Sequence, residues 1–236
     1  MHVPIRGTDP GIRPRWFKRV DTPLEQLDGA HGFSEAVLEE VWRLPRSESE
    51  FVTVFVPELF GRRSLLEQVR HPRELALKFR LLSEPGVVVA DVPVLASHAP
   101  TPPRRVLARV LVSGVNAASM RAVNYASTLE VDDVRAVHFA FGADDAAQIR
   151  DEWANHGPRI PLEVDEAPYR DIGRPLLEYL RGLTADPDTA VLVLMPELVT
   201  RGWRRLLHNQ RALYVKRLLL FEPRIVLAAV PYQVLR

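Results

Sequence analysis

From Arg105 onward the chain alternates between strand-length runs that are apolar at nearly every position and segments with helical spacing. "RVLARVLVSG" leads into "NAASMRAVNYASTLE", where Ala118, Arg121, Ala122 and Tyr125 recur at helical intervals, and "VRAVHFAFG" leads into "DDAAQIRDEWANHG", opened by Asp and stopped by Gly157-Pro158. "IPLEVD", "DIGRPLLEYLRGL", "TAVLVLMP", "LVTRGWRRLLHNQRALYVKRLLL" and "RIVLAAVPYQV" continue the pattern. Strands that are apolar on both sides need helices on both faces, and right-handed crossovers make such strands parallel. The expectation is an α/β fold whose residues 105–236 form a complete domain, a doubly wound parallel five-stranded sheet.

Upstream, "ASHAPTPPRR" places three prolines in a polar stretch, which reads as a stiff linker over residues 96–104. Before it, residues 1–95 repeat part of the later pattern. Arg73 aligns with Arg211, Lys78 with Lys216, Leu81 with Leu219, Glu84-Pro85 with Glu222-Pro223, Ala90 with Ala228 and Pro93 with Pro231. After a one-residue gap, Pro57-Glu58-Leu59 falls on Pro196-Glu197-Leu198. Residues 1–95 therefore read as a truncated α/β repeat that keeps the second half of the unit. Both Pro-Glu pairs are expected to turn a strand-to-helix corner, proline at the strand end and glutamate at the helix start. A half-unit leaves an uncovered sheet edge, so the last strands "GVVVADVPV" and "RIVLAAVPYQV" are expected to join in an intramolecular pseudo-dimer, with a homodimer as the other way to cover it.

Charge and composition exclude several functions. The 31 basic and 30 acidic residues nearly cancel, which argues against a nucleic-acid partner. There is no cysteine, hence no disulfide, thiolate nucleophile or cysteine-ligated zinc, and no His spacing suits a metal or other cofactor. No signal-peptide core precedes the fold, and no apolar run reaches the roughly 20 residues that span a bilayer. The chain reads as soluble and cytoplasmic. The basic stretch "IRPRWFKR" has two readings: an interface with lipid headgroups through Trp16 and Phe17, or docking on its own domain.

The segments "HFAFGADDAAQIRDEWANHGPRIPLEVDEAPYRDIGRPLLEYL", "VLMPELV", "GWRRLLHNQRALYVKRLLL" and "AAVPYQV" together resemble the cytosolic C-terminal region of bacterial amino acid/polyamine/organocation superfamily permeases, including the potassium importers among them. The resemblance implies a universal stress protein-like fold and, in the absence of membrane helices, a regulatory domain that contacts a membrane transporter. In some relatives such a domain binds cyclic di-AMP and inhibits the transporter. The same fold implies ATP as an alternative ligand, yet the loop "MPELVTRGW" has one glycine where a phosphate cradle needs several, and Glu197 would repel phosphate.

Ligand candidates follow from where strands end. In a doubly wound sheet the crevice lies beyond the strand carboxyl ends, so Ser113 and Asn116 after the first strand, Tyr169 and Arg170 after the third, and Glu197 after the fourth should converge. Trp203, Arg204, His208 and Asn209 in the following basic segment could stack on and bind an anionic ligand such as a nucleotide; the competing reading is that His208 and Asn209 only tie the helix to a loop. His138, amid apolar neighbours in its strand, reads as a satisfied core residue, and the pairs Asp132-Asp133, Asp144-Asp145 and Asp151-Glu152 as solvated surface charge. No nucleophile motif appears, so the chain reads as a non-enzymatic regulatory or ligand-binding protein. An ATP-binding stress-type protein and a ligand-free interaction scaffold are the alternatives.

Overall fold

The computed structural model describes residues 33–47, 50–60, 72–95, 103–156, 158–167, 171–199, 210–219 and 222–234. The elements run α1 (Phe33–Arg43), β1 (Val52–Phe60), α2 (Pro72–Ser83), β2 (Val87–Leu95), β3 (Arg105–Leu111), α3 (Ala117–Ser127), β4 (Asp133–Ala140), α4 (Ala143–His156), β5 (Leu162–Glu166), α5 (Gly173–Leu183), β6 (Thr189–Val199), α6 (Gln210–Leu219) and β7 (Ile225–Gln233). The basic stretch at residues 12–19 and most of the Pro-rich segment lie outside the described residues.

The class is α/β, but the sheet is larger than five strands. Seven strands lie in the order β1-β2-β7-β6-β3-β4-β5. All neighbours are parallel except β2 and β7, which run antiparallel through Val89–Ala229, Ala90–Ala228 and Asp91–Leu227. The five strands expected of residues 105–236 are β3 to β7, and β2 and β1 extend the same sheet past β7. The expected junction between the two last strands is thus present. It covers an edge that would otherwise offer unpaired N–H and C=O groups.

Alternation along each strand divides the core between two faces. Ala90, Val110, Leu194 and Ala228 pack with Ala122, Tyr125 and Ala126 of α3 and with Trp153 of α4. On the other face Val193, Ile225 and Leu227 meet Leu176 and Leu180 of α5 and Val215 and Leu219 of α6. Beside them Val87, Val89 and Ala229 meet Leu38 and Val41 of α1 and Leu77 and Leu81 of α2. Helices on both faces explain why these strands carry almost no exposed polar alternation.

The Pro-Glu pairs do not turn corners. Pro57-Glu58 lies inside β1 and Pro196-Glu197 inside β6, opposite Val92-Pro93 and Val230-Pro231. A proline in a strand is tolerated where no ladder bond is asked of it. Here β1 is an edge strand, β3 stops pairing with β6 at Leu194, and β2 and β7 part after Asp91 and Ala229. Each proline therefore stands where its strand has one neighbour, and the strand runs on through it.

Gly86 turns the chain from α2 into β2 with a φ of +72°. Its carbonyl accepts from Val52 N at 2.9 Å, and a Cβ there would meet the Glu50 carbonyl at 3.0 Å. Gly86→Ala is expected to lower stability by about 1–2 kcal/mol, the ordinary left-handed penalty, read as a lower urea midpoint with unchanged slope.

Candidate functional site

The chain leaves β3 toward β4 on one side, while β6 lies on the other, so the carboxyl ends of β3 and β6 mark the topological switch point where such sheets bind ligands. The loop after β3 is built for a helix start. Asn116 is the N-cap of α3: its Oδ1 accepts from Ser119 N at 3.0 Å and its Nδ2 reaches Gly114 O at 3.4 Å. Ser113 and Asn116 are both exposed at this strand end.

Glu197 goes elsewhere. The register joining Val110 to Leu194 sets Ser113 level with Glu197, yet Glu197 is only 4% exposed and points to the α6 face, where Lys216 Nζ donates to its Oε2 at 3.0 Å. Asn116 leads to α3 on the opposite face, so the sheet stands between them. A buried carboxylate matched by a lysine locks α6 to β6 rather than facing solvent. Tyr169, Arg170, Trp203, Arg204, His208 and Asn209 lie outside the described residues.

At the next strand end Phe141, Gly142, Ala143, Asp144 and Asp145 line a hollow of about 380 Å³. Asp145 is an anchor there. Its Oδ2 accepts from Phe141 N at 2.9 Å and lies 3.4 Å from His138 Nε2. His138 Nδ1 meets Val112 O at 2.9 Å, so the ring has a partner on each nitrogen, as expected of a satisfied core histidine. The Phe141 amide, then the His138 side chain, hold the Asp145 carboxyl below its ordinary range.

A second polar group sits under α5. Arg109, 3% exposed between apolar neighbours in β3, donates from Nε to Tyr179 Oη at 2.8 Å, from Nη2 to Asp133 Oδ2 at 2.8 Å and from Nη1 to Ala108 O at 2.9 Å. Tyr179 donates to Glu163 Oε2, and Arg135 bridges Asp133 and Glu163 at 3.0 and 2.7 Å. Burial, then the bond to Glu163, push the Tyr179 phenol well above its ordinary value. Two arginines against two carboxylates leave no net charge, which suits a tie among β3, β4, β5 and α5 rather than an anion site.

Among the acidic pairs, Asp133 and Asp145 therefore need correcting, while Asp132, Asp144 and Asp151 are exposed. Asp133 pairs with Arg109, Asp132 Oδ2 accepts from Val106 N at 2.7 Å, and Asp145 closes the β4 end, whereas Asp151 and Glu152 make only exposed contacts along α4. Sequence reading missed the role of Asp133 because its partner Arg109 is remote in the chain. The available signal was Arg109, a charge in a strand buried on both faces, which must find a countercharge. Among the described residues no group of His, Asp or Glu is arranged to hold a metal ion, and no helix is long and apolar enough to cross a membrane.

Arg109→Met is expected to lower stability by about 3 kcal/mol, the lower end for stripping one partner from a buried pair, measured by urea unfolding. Asp145 should give a pH signature. Its folded pKa is depressed, so its contribution is full above the unfolded value of about 4 and is lost as pH falls through the lower folded value. The melting-temperature gap between the parent chain and Asp145→Asn should hold steady from pH 7 to about 5 and close below about 4.

With this geometry in hand, comparison with known proteins gives two matches. The family model of the KimA potassium transporter C-terminal domain matches residues 104–232, which take in β3 to β7. The potassium transporter KimA of Bacillus subtilis (strain 168) is 28% identical over 127 residues, 52% of this chain and 21% of that transporter. The chain thus spans about a fifth of the length of the curated relative it matches.

Proposed function

The chain belongs to the family of the KimA potassium transporter C-terminal domain, and from that premise we propose that it is a non-enzymatic regulatory or ligand-binding protein that acts on the cytoplasmic side of a membrane transporter. The observation that carries this reading is the extent of the match: it runs from the start of β3 to one residue short of the end of β7, with the helices between them. What is shared is a folded unit rather than a spanning segment. A transporter is the natural partner of such a unit.

The ligand in this proposal is a small anionic nucleotide, cyclic di-AMP first. The switch point supports it, since the N-terminus of α3 lies there with Ser113 and Asn116 exposed. ATP is the weaker candidate. Pro196-Glu197 continues β6 where a phosphate-cradling loop would begin, and Glu197 is already held by Lys216. A ligand-free interaction scaffold is the third outcome.

We also read residues 33–95 as a truncated copy of the universal stress protein-like unit formed by residues 103–234. Three repeated features support the duplication. α1 and α5 both have 11 residues. Gly86 and its counterpart Arg224 both take a left-handed backbone, with φ of 72° and 62°. Val52 N donates to Gly86 O and Val191 N to Arg224 O, each at 2.9 Å.

Thermal unfolding of the purified chain with cyclic di-AMP, cyclic di-GMP, AMP and ATP tests the ligand. Cyclic di-AMP at about 100 times its dissociation constant should stabilise the chain by roughly 2.7 kcal/mol, a rise of several degrees, with no comparable effect of the others. A selective rise with ATP would transfer the assignment to the stress-type reading. No rise with any of them would leave the scaffold.

A further inference from the structure

α3 gets little support from its own ends. It has 11 residues, no acidic side chain in the first turn and no basic one in the last. Neither end gains from the helix dipole, and a helix this short is held by packing. Ala122, Val123 and Ala126 supply part of that packing against the sheet of residues 103–234. The rest comes from residues 33–95. Tyr125 Oη is hydrogen-bonded to Thr53 Oγ1 at 2.7 Å, and Phe51 meets the Tyr125 ring edge-on at 5.1 Å. The Arg121 guanidinium lies over the Phe51 ring, 5.1 Å from its centre, while its Nε donates to Pro231 O of β7 at 3.0 Å.

These contacts belong to the N-terminal residues themselves and not to the repeated pattern. Under the duplication read above, the counterparts of Phe51 and Thr53 are Ala190, which has no ring, and Leu192, which has no hydroxyl. Arg121 and Tyr125 stand four residues apart, on one side of α3. The same helix begins at Asn116, which accepts from Ser119 N through its side chain and from Met120 N through its carbonyl. At the helical rise Arg121 is only roughly 7–8 Å along the axis from that cap.

Resting on the switch-point site read above, we propose that residues 33–95 act as an intramolecular clamp on α3, with Phe51 and Thr53 as positioning residues for the start of that helix, where Ser113 and Asn116 stand. A short helix moves as a rod, so what fixes it at Arg121 and Tyr125 also fixes the turn at Asn116. With the clamp made, the first-turn N–H groups and the Asn116 side chain keep one arrangement. With it released, that end opens first, because helix ends have the lowest local stability. The N-terminal residues thereby set how well the switch point is organised for a ligand, without touching that ligand.

Amide hydrogen exchange of the full chain tests the clamp without any ligand. Thr53→Val removes the hydroxyl and keeps the shape, and Phe51→Leu removes the ring. In the double variant the Ser119 and Met120 amides should exchange about tenfold faster than in the parent, while the Leu176 amide, bonded to Ile172 O at the start of α5 on the other face, stays within about twofold. Thr53→Val alone should move the same two amides in the same direction, so the result does not hang on the double variant folding. Thr53→Ser, which keeps the hydroxyl, should leave them at the parent rate. Unchanged rates at Ser119 and Met120 would overturn the proposal, and so would equal acceleration of all three amides, which is a loss of global stability. Where the parent binds cyclic di-AMP, the double variant should bind it about tenfold more weakly, a tenfold change being 1.4 kcal/mol; equal binding would overturn the link to the site. A parent that binds no nucleotide sinks the ligand reading alone, since the exchange pattern still decides the clamp.

Discussion

Everything on the N-terminal side of the sheet depends on three residue pairs, Val89–Ala229, Ala90–Ala228 and Asp91–Leu227, where the two parallel halves meet antiparallel. A β1–β2 pair on its own is a two-stranded parallel ribbon, below what usually holds in water. Joined to β7 it shares two cores at once. Val88 and Ala90 enter the layer under α3, and Val87 and Val89 meet Ala229 under α1 and α2. Alanine at both central positions keeps the joint flat, so α3 can lie across it and Tyr125 can reach Thr53 of β1. Lys78 of α2 ties the same strand from the other face, 2.8 Å from Asp91.

The fold was legible to the extent that it is written in local periodicity and in repetition. Strands buried on both faces leave a nearly continuous apolar signature, and β3 to β7 fall where that signature lies. The joint was legible because two like strand ends imply like edges. Two things were not. Pro-Glu after a β run looks like a strand stop, and nothing local reveals that β1 is an edge strand and that β3 has already parted from β6, which is what lets β1 and β6 run on. The sheet's count of seven also depends on joining, a property of the assembled chain rather than of either half.

The candidate site shows the same division. Asn116 as a helix cap follows from its position between a strand end and a helical stretch. The roles of Asp133 and Asp145 do not, because their partners, Arg109 and His138, stand in other parts of the strands. An aspartate next to another aspartate at an element's end looks the same in sequence whether it is solvated or bonded. Burial of the opposite charge is the better guide. An arginine or histidine inside an apolar strand must find a partner, so the search runs from the cation outward.

Where polar groups are spent also bears on what the unit does. Glu197 and Lys216 are used to hold α6 on β6, and Arg109, Asp133, Arg135, Glu163 and Tyr179 to hold α5 over β3 to β5. His138 and Asp145 brace the end of β4. Among the described residues, the charged side chains most protected from water thus face one another rather than a substrate. These ties hold α5 and α6 to one face of the sheet, while on the other the capped start of α3 keeps Ser113 and Asn116 exposed.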